Sequence, residues 1–263
     1  MAQNIDYTIH GDDMQFVEVL LDPNETMVAE AGSMMMMDNS IEMATTFGDG
    51  SSKGGGFMDK LFSAGKRVVT GESLFMTTFT NMGYDRAMVS FAAPYPGKIL
   101  PIQLSKYNGT LICQKESFLC AQKGTQIGIE FTKRFGAGIF GGEGFILQKL
   151  QGDGLAFVHA GGTILEKELY SGQILKIDTG CIVAMTTSVD YDIQFVGGIK
   201  NALFGGEGLF FATLKGPGKV WIQSLPFSRL ASRVMSASMG GRAGREEGSI
   251  LGGLGNFLDG DGF

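Results

Sequence analysis

Short apolar runs of four to eight residues, separated by polar or glycine-rich turns, recur along most of the chain. Residues 16–21, 155–159 and 219–223 are such runs. Turn signals return every eight to twelve residues, and Asn108-Gly109 and Gly152-Asp153-Gly154 are two of them. Runs of this length and spacing are typical of antiparallel β sandwiches and barrels rather than of βαβ units. The pattern therefore predicts an all-β fold.

Two segments have helical periodicity instead. The first spans residues 57–69, with an apolar face opposite charged side chains at Asp59, Lys60, Lys66 and Arg67. The second follows Pro226, and its apolar positions are Phe227, Leu230, Ala231, Val234 and Met235. A basic amphipathic helix can lie on a membrane surface. The first segment is short and only modestly basic, which favours packing on the β body.

The chain also repeats itself. Residues 140–144 read FGGEG, and residues 204–208 read FGGEG again 64 positions later. A weaker third copy, GESLF, lies at residues 71–75. A fixed offset of this kind indicates a duplicated structural unit.

We therefore divide the chain into three β-sandwich units and a tail. The units span residues 1–92, 93–162 and 163–226, and the first contains a glycine-rich loop and helix at 50–69. Residues 227–263 hold a C-terminal helix and a glycine-rich tail. A tail of that composition predicts mobility rather than a packed core.

Charge and composition limit the classes of function that the chain can have. The 21 Lys and Arg residues against 27 Asp and Glu give a net charge of −6, which argues against a general nucleic-acid binder. Three cysteines without metal-ligand spacing do not make a disulfide framework, and they suit a reducing compartment. The acidic start of the chain does not resemble a signal peptide, and no run approaches the roughly 20 apolar residues of a membrane-spanning helix. We expect a soluble, cytoplasmic protein.

The repeated motif supplies the main candidate site residues, which are Glu72, Glu143, Glu207, Gly142, Gly144, Gly206 and Gly208. Three converging carboxylates could hold a metal ion or a substrate. Alternatively, each carboxylate accepts hydrogen bonds from the N–H groups of a glycine turn before a strand, and repetition in every unit favours this structural role. The glycines form neither a Walker loop nor a dinucleotide-binding fingerprint. We predict turn residues, with no metal site and no cofactor.

No catalytic set is evident in the remaining reactive residues. His10 and His159 have no nucleophile and orienting partner that the sequence nominates. Cys113, Cys120 and Cys181 are interpreted as small core residues. The run Met34–Met37 could form a soft binding surface, although alternating core and interface packing fits it better. We predict that the protein is not an enzyme.

One segment resembles a known family. Residues 54–75, GGGFMDKLFSAGKRVVTGESLF, resemble the glycine-rich, helix-then-GES signature of the altered-inheritance-of-mitochondria type 24 family, and the FGGEG copies also match that pattern. The resemblance implies units similar to the trp RNA-binding attenuation protein, each a short double-stranded β-helix, in a pseudo-three-fold arrangement. It also implies homotrimers that form a ring of nine units.

These observations favour a non-enzymatic, homo-oligomeric scaffold or binding protein whose partner is itself. One alternative is a ring that binds a small ligand or nucleic acid between units, although the acidic chain makes nucleic acid the less favoured ligand. Another is a peripheral membrane organiser that acts through residues 57–69 or the tail.

Overall fold

A computed structural model describes residues 5–30, 32–47, 75–133, 145–196 and 209–240. The chain divides into two compact units, Met1–Phe227 and Ser228–Phe263. The first unit contains every described strand, so the all-β prediction is confirmed. The second contains the C-terminal helix after its first residue.

The strands are β1 (Asp6–His10), β2 (Phe16–Leu21), β3 (Thr26–Glu30), β4 (Met34–Met37), β5 (Ile41–Phe47), β6 (Phe75–Asn81), β7 (Ala87–Ala92), β8 (Gly97–Gln103), β9 (Thr110–Gln114), β10 (Phe118–Gln122), β11 (Gln126–Lys133), β12 (Phe145–Gln151), β13 (Leu155–Gly161), β14 (Ile164–Leu169), β15 (Ile174–Asp178), β16 (Ile182–Thr186), β17 (Asp190–Val196), β18 (Leu209–Lys215) and β19 (Gly218–Gln223). Short 3-10 turns lie at Leu104–Tyr107, Lys115–Ser117 and Thr179–Cys181.

These strands form four sheets. The first has the order β1-β2-β7-β4 and the second β5-β6-β3-β10-β13-β8. The third has the order β11-β12-β9-β16-β19-β14 and the fourth β15-β18-β17. Neighbouring strands are antiparallel throughout, as the short turns between them require. The second and third sheets each combine strands from two of the predicted sequence units.

Three clusters of buried side chains form the core of the β unit. Along β2, buried and half-buried residues alternate, which is the period of a strand with one face in a core. In the first cluster Phe79 meets Phe91 edge-on, with ring centroids 5.2 Å apart. The second cluster contains Trp221, the single tryptophan of the chain. Each fully buried side chain of this size stabilises the fold by about 1.5–3 kcal/mol.

The predicted turn at Asn108-Gly109 is present. Both residues adopt the left-handed conformation, with φ of 55° and 71°. Asparagine and glycine tolerate that region better than other residues, since glycine lacks a Cβ and asparagine can bond locally. The turn ends the Leu104–Tyr107 3-10 segment and starts β9.

The helix predicted after Pro226 is confirmed as α1, Phe227–Gly240. The helix predicted at residues 57–69 lies outside the described residues, as does the tail beyond residue 240. The predicted mobile segment began at Ser236, but α1 continues to Gly240, so its first five residues are helical. The unit boundaries at residues 92 and 162 stay a prediction.

Candidate functional site

The repeated motif residues lie outside the described part of the chain. This holds for all seven predicted positions, Glu72, Glu143, Glu207, Gly142, Gly144, Gly206 and Gly208. The strands that follow them, β6, β12 and β18, begin at residues 75, 145 and 209. Their predicted role in turns stays a prediction, and the candidate site is built below from described residues.

The second and third sheets are each joined in the middle by a short strand pairing. Between β3 and β10, the opposed residues are Ala29 and Cys120, Val28 and Ala121, and Met27 and Gln122. Between β9 and β16, they are Cys113 and Ala184, Ile112 and Met185, and Leu111 and Thr186. In both cases three residue pairs connect one three-stranded group to another. We call these two pairings the internal junctions.

The internal junctions are mostly apolar and buried, with Gln122 and the half-buried Thr186 as their polar residues. Cys113 and Cys120 are both fully buried there, which agrees with their interpretation as small core residues. Burial raises the pKa of the Cys113 thiol to about 12 and raises that of Cys120 as well. Both thiols are therefore protonated at neutral pH, and a protonated thiol is a poor nucleophile. Cys181 is half-buried in a 3-10 turn.

The two strands β4 and β15 resemble the junction strands but lack a partner on one side within the described chain. β4 ends the first sheet, and β15 ends the fourth. Pairing of β4 with β7 shifts by one residue between Met34 and Met36. The same shift occurs in β10 and in β16, one strand of each internal junction. We call β4 and β15 the terminal edges.

The terminal edges expose apolar side chains that a partner strand would cover. On β4, the exposed fractions of Met35, Met36 and Met37 are 49%, 36% and 37%. On β15, Ile174 is 58% exposed and Lys176 is also exposed. An unpaired strand presents a row of backbone N–H and C=O groups to any further strand. The run of four methionines is therefore an edge strand, which fits the predicted interface packing.

The buried side chain of Gln223 ties the ends of two strand groups together. Its Nε2 donates to the carbonyl of Gly180 at 2.7 Å, and its Oε1 accepts from the N–H of Gly161 at 2.7 Å. Gln223 is 3% exposed. Sequence reasoning missed this residue, although the offset of 64 positions aligns it with His159, which was considered.

His159 is a buried side chain that is neutral at neutral pH. It is 1% exposed, and its ring meets the Tyr95 ring edge-on with centroids 4.4 Å apart. Loss of hydration lowers the pKa of His159 to about 4. The other histidine, His10, stacks on Phe16 at 4.7 Å and lies 3.8 Å from the carboxylate of Glu18.

An open cavity of about 430 Å³ lies beside β1 and β8 and is lined by Tyr7, Pro101, Gln103, Lys106, Tyr107 and Leu155. These residues come from positions far apart in the sequence, so no local sequence motif predicts the cavity. Elsewhere in the described residues, no group of three or more His, Cys, Asp or Glu side chains is placed to hold a metal ion. Among the described helices, none combines the length and apolar character of a membrane span.

Comparison with known proteins relates the chain to one family and to streptococcal proteins. The family model described as "Mitochondrial biogenesis AIM24" matches residues 7–225. An uncharacterized protein of Streptococcus pyogenes serotype M6 is 28% identical over 221 residues, which is 83% of this chain and 85% of that protein. A crystal structure of a Streptococcus pyogenes protein has a TM-score of 0.69 at 23% identity and covers 89% of this chain and 100% of that chain. That likeness shows a shared fold alone.

Proposed function

The chain belongs to the AIM24 family, as its motifs at 54–75 and 140–144 indicate, and we propose that it is a non-enzymatic scaffold assembled from copies of itself. The observation that carries the proposal is the pair of terminal edges. They have the same strand context as the partners in the internal junctions, and each lacks the strand that the junctions supply.

The strand orders support a threefold duplication. Taken in chain order, β2–β7, β8–β13 and β14–β19 are three sets of six strands. In each set the first, sixth and third strands are neighbours, as are the second, fifth and fourth. This repetition supports a pseudo-three-fold arrangement of the predicted units, similar to the trp RNA-binding attenuation protein. The two FGGEG copies, 64 positions apart, support it as well.

The internal junctions then specify how one chain meets the next. Each junction joins the second strand of one set to the third strand of the following set. Only the second strand of the last set, β15, and the third strand of the first set, β4, are left without this partner in the described chain. β15 of one copy therefore pairs antiparallel with β4 of the next copy, by the same geometry.

The register follows by transfer from β9 and β16. There Ile112 opposes Met185. Lys176 takes in β15 the position that Ile112 takes in β9, and Met37 takes in β4 the position that Met185 takes in β16. Lys176 of one copy therefore opposes Met37 of the next. On its inner side β4 is already held, since the Asp38 N–H donates to the Met88 carbonyl at 2.9 Å. Backbone groups alternate in direction along a strand, so the N–H of Met37 points outward and is free to bond a second copy.

Pairing of two different edges is a heterologous interface, which closes into a ring when the rotation between copies permits. The resemblance to the family implies three copies, and three chains of three units would make a ring of nine units. Light scattering on the purified protein should then give a mass three times that of the 28.1 kDa chain. A monomeric mass at micromolar concentration would contradict the proposal.

Disulfide trapping tests the register. The variant M37C/K176C, in a C181S background, places cysteines on two exposed, opposed positions. Hydrogen-bonded antiparallel pairs have Cα atoms about 5.5 Å apart, which suits a disulfide. Mild oxidation should therefore link separate chains on a non-reducing gel.

The matched control is M37C/I174C, which also uses exposed positions but lies two residues out of register. Its cysteines would be roughly 7–8 Å apart, beyond the usual span of a disulfide. Equal cross-linking of both variants would contradict the register, even if the protein is oligomeric.

A further inference from the structure

The cavity beside β1 and β8 has fixed aromatic walls. The Tyr7 ring meets Phe157 edge-on with centroids 5.0 Å apart, and Phe157 is fully buried. The Tyr107 ring meets Trp221 in the same way at 5.4 Å, and Trp221 is 1% exposed. Since each phenol packs edge-on against a buried core ring, both are positioned before any ligand arrives. Preorganised walls lower the entropy lost on binding.

The cavity also offers a cation without a carboxylate partner. Lys219, whose charge interacts with Tyr107, is already bound to Glu166 at 2.6 Å. Within the described part of the chain, no carboxylate lies within ion-pair distance of the Lys106 ammonium. An ammonium beside aromatic and apolar walls attracts a ligand that combines a ring with a negative charge.

The side-chain amide of Gln103, another polar group in the cavity, is held in a fixed orientation. The Gln103 Nε2 donates to the Asp153 carbonyl at 2.7 Å, which fixes the plane of the amide. Pro101 and Leu155 complete the lining with apolar surface. The lining thus combines two aromatic rings and two apolar side chains with a larger share of polar surface, and converging polar groups of this kind orient a small-molecule ligand.

We propose that this cavity binds a small aromatic anion, with its ring between Tyr7 and Tyr107 and its negative group on Lys106. The volume of about 430 Å³ lies within the roughly 300–1,000 Å³ of known ligand pockets, so it accommodates one bicyclic ring system. This site is separate from the terminal edges, and the inference does not depend on the assembly proposed above.

Fluorescence titration of the full chain tests the site with two probes of similar shape. 1-Anilinonaphthalene-8-sulfonate carries the negative charge, and N-phenyl-1-naphthylamine has the same rings without it. In K106M, which keeps the side-chain length, we expect the sulfonate to bind about tenfold more weakly because a charge-assisted contact is lost. Binding of the neutral amine should not change. K123M, at an exposed lysine in the turn after β10, is the matched control and should behave as wild type.

Two further arms locate the site and identify the anion. Y107A should weaken both probes, because it removes an aromatic wall, and circular dichroism establishes that it folds. Displacement of the sulfonate by 2-naphthoate or by 1-naphthyl phosphate distinguishes a carboxylate ligand from a phosphate ligand. The proposal is overturned if K106M and wild type bind the sulfonate equally, or if K123M weakens it as much as K106M.

Discussion

Replacing Gln223 with methionine tests the tie that joins two strand groups. Methionine has nearly the same length and can fill the same buried space, so the change removes hydrogen bonds with little loss of packing. Gln223 makes two hydrogen bonds of 2.7 Å, to the N–H of Gly161 and to the carbonyl of Gly180. Both backbone groups would then be left without their side-chain partner at a position that is 3% exposed.

The magnitude follows from those two groups. Leaving a buried donor or acceptor unsatisfied costs about 1–3 kcal/mol each. Burial of the apolar methionine side chain and local relaxation offset part of this loss of stability. We therefore expect Q223M to lower the free energy of unfolding by about 2–4 kcal/mol.

Urea unfolding at one fixed chain concentration measures the change, because the stability of the proposed oligomer would depend on concentration. Trp221 lies two residues from Gln223 in β19 and is the single tryptophan of the chain, so its fluorescence reports on this region. The control is Q194M, at an exposed glutamine whose amide donates to the carboxylate of Asp192, two residues away. It should change stability by less than about 0.5 kcal/mol. A loss as small in Q223M would refute the role given to Gln223.

The remaining predictions concern the buried histidine and the first core. Burial lowers the pKa of His159 from 6.5 to about 4, so the unfolded chain binds a proton at this residue more readily than the folded chain. The free energy of unfolding should therefore fall as the pH drops from 6.5 towards 4. It should fall less in H159Q. Equal pH profiles for H159Q and wild type in urea unfolding would contradict this. F79A should cost about 3–5 kcal/mol by emptying the space beside Phe91, whereas Y84A, at a side chain that is 99% exposed, should leave the thermal midpoint unchanged. Calorimetry showing similar midpoints for the two variants would contradict the assignment of Phe79 to the core.

The sequence pattern predicted those elements of the fold that depend on a few consecutive residues. The run at 16–21 became β2 with alternating burial, and the turn at Asn108-Gly109 adopted the left-handed geometry that those residues favour. The helix after Pro226 was found as well. In each case the strand period, the helical period or the turn chemistry lies within a few consecutive residues.

The internal junctions could not be predicted in the same way. Each depends on three opposed residue pairs between strands about 70 positions apart or more, such as Val28 and Ala121. Any apolar strand could satisfy such a pairing, so the sequence does not choose between partners. The cavity is a similar case, because Tyr7 and Leu155 meet only after β1 and β8 have been placed.

The side chains at the internal junctions explain the four consecutive methionines of β4. At the position of Met36, β10 has Cys120 and β16 has Ala184, which are fully buried because the neighbouring strand is present in the same chain. In the assembly proposed above, β4 is instead exposed to water until a second copy covers it. Unbranched methionine side chains can lie flat on an exposed edge and then repack against another strand, since they have three flexible bonds and a polarisable sulfur. Small residues there would leave the backbone edge open, and β-branched residues would fix a flat template for uncontrolled pairing. A methionine edge thus suits β4 in the proposed assembly, where the strand is exposed in one chain and covered by the next.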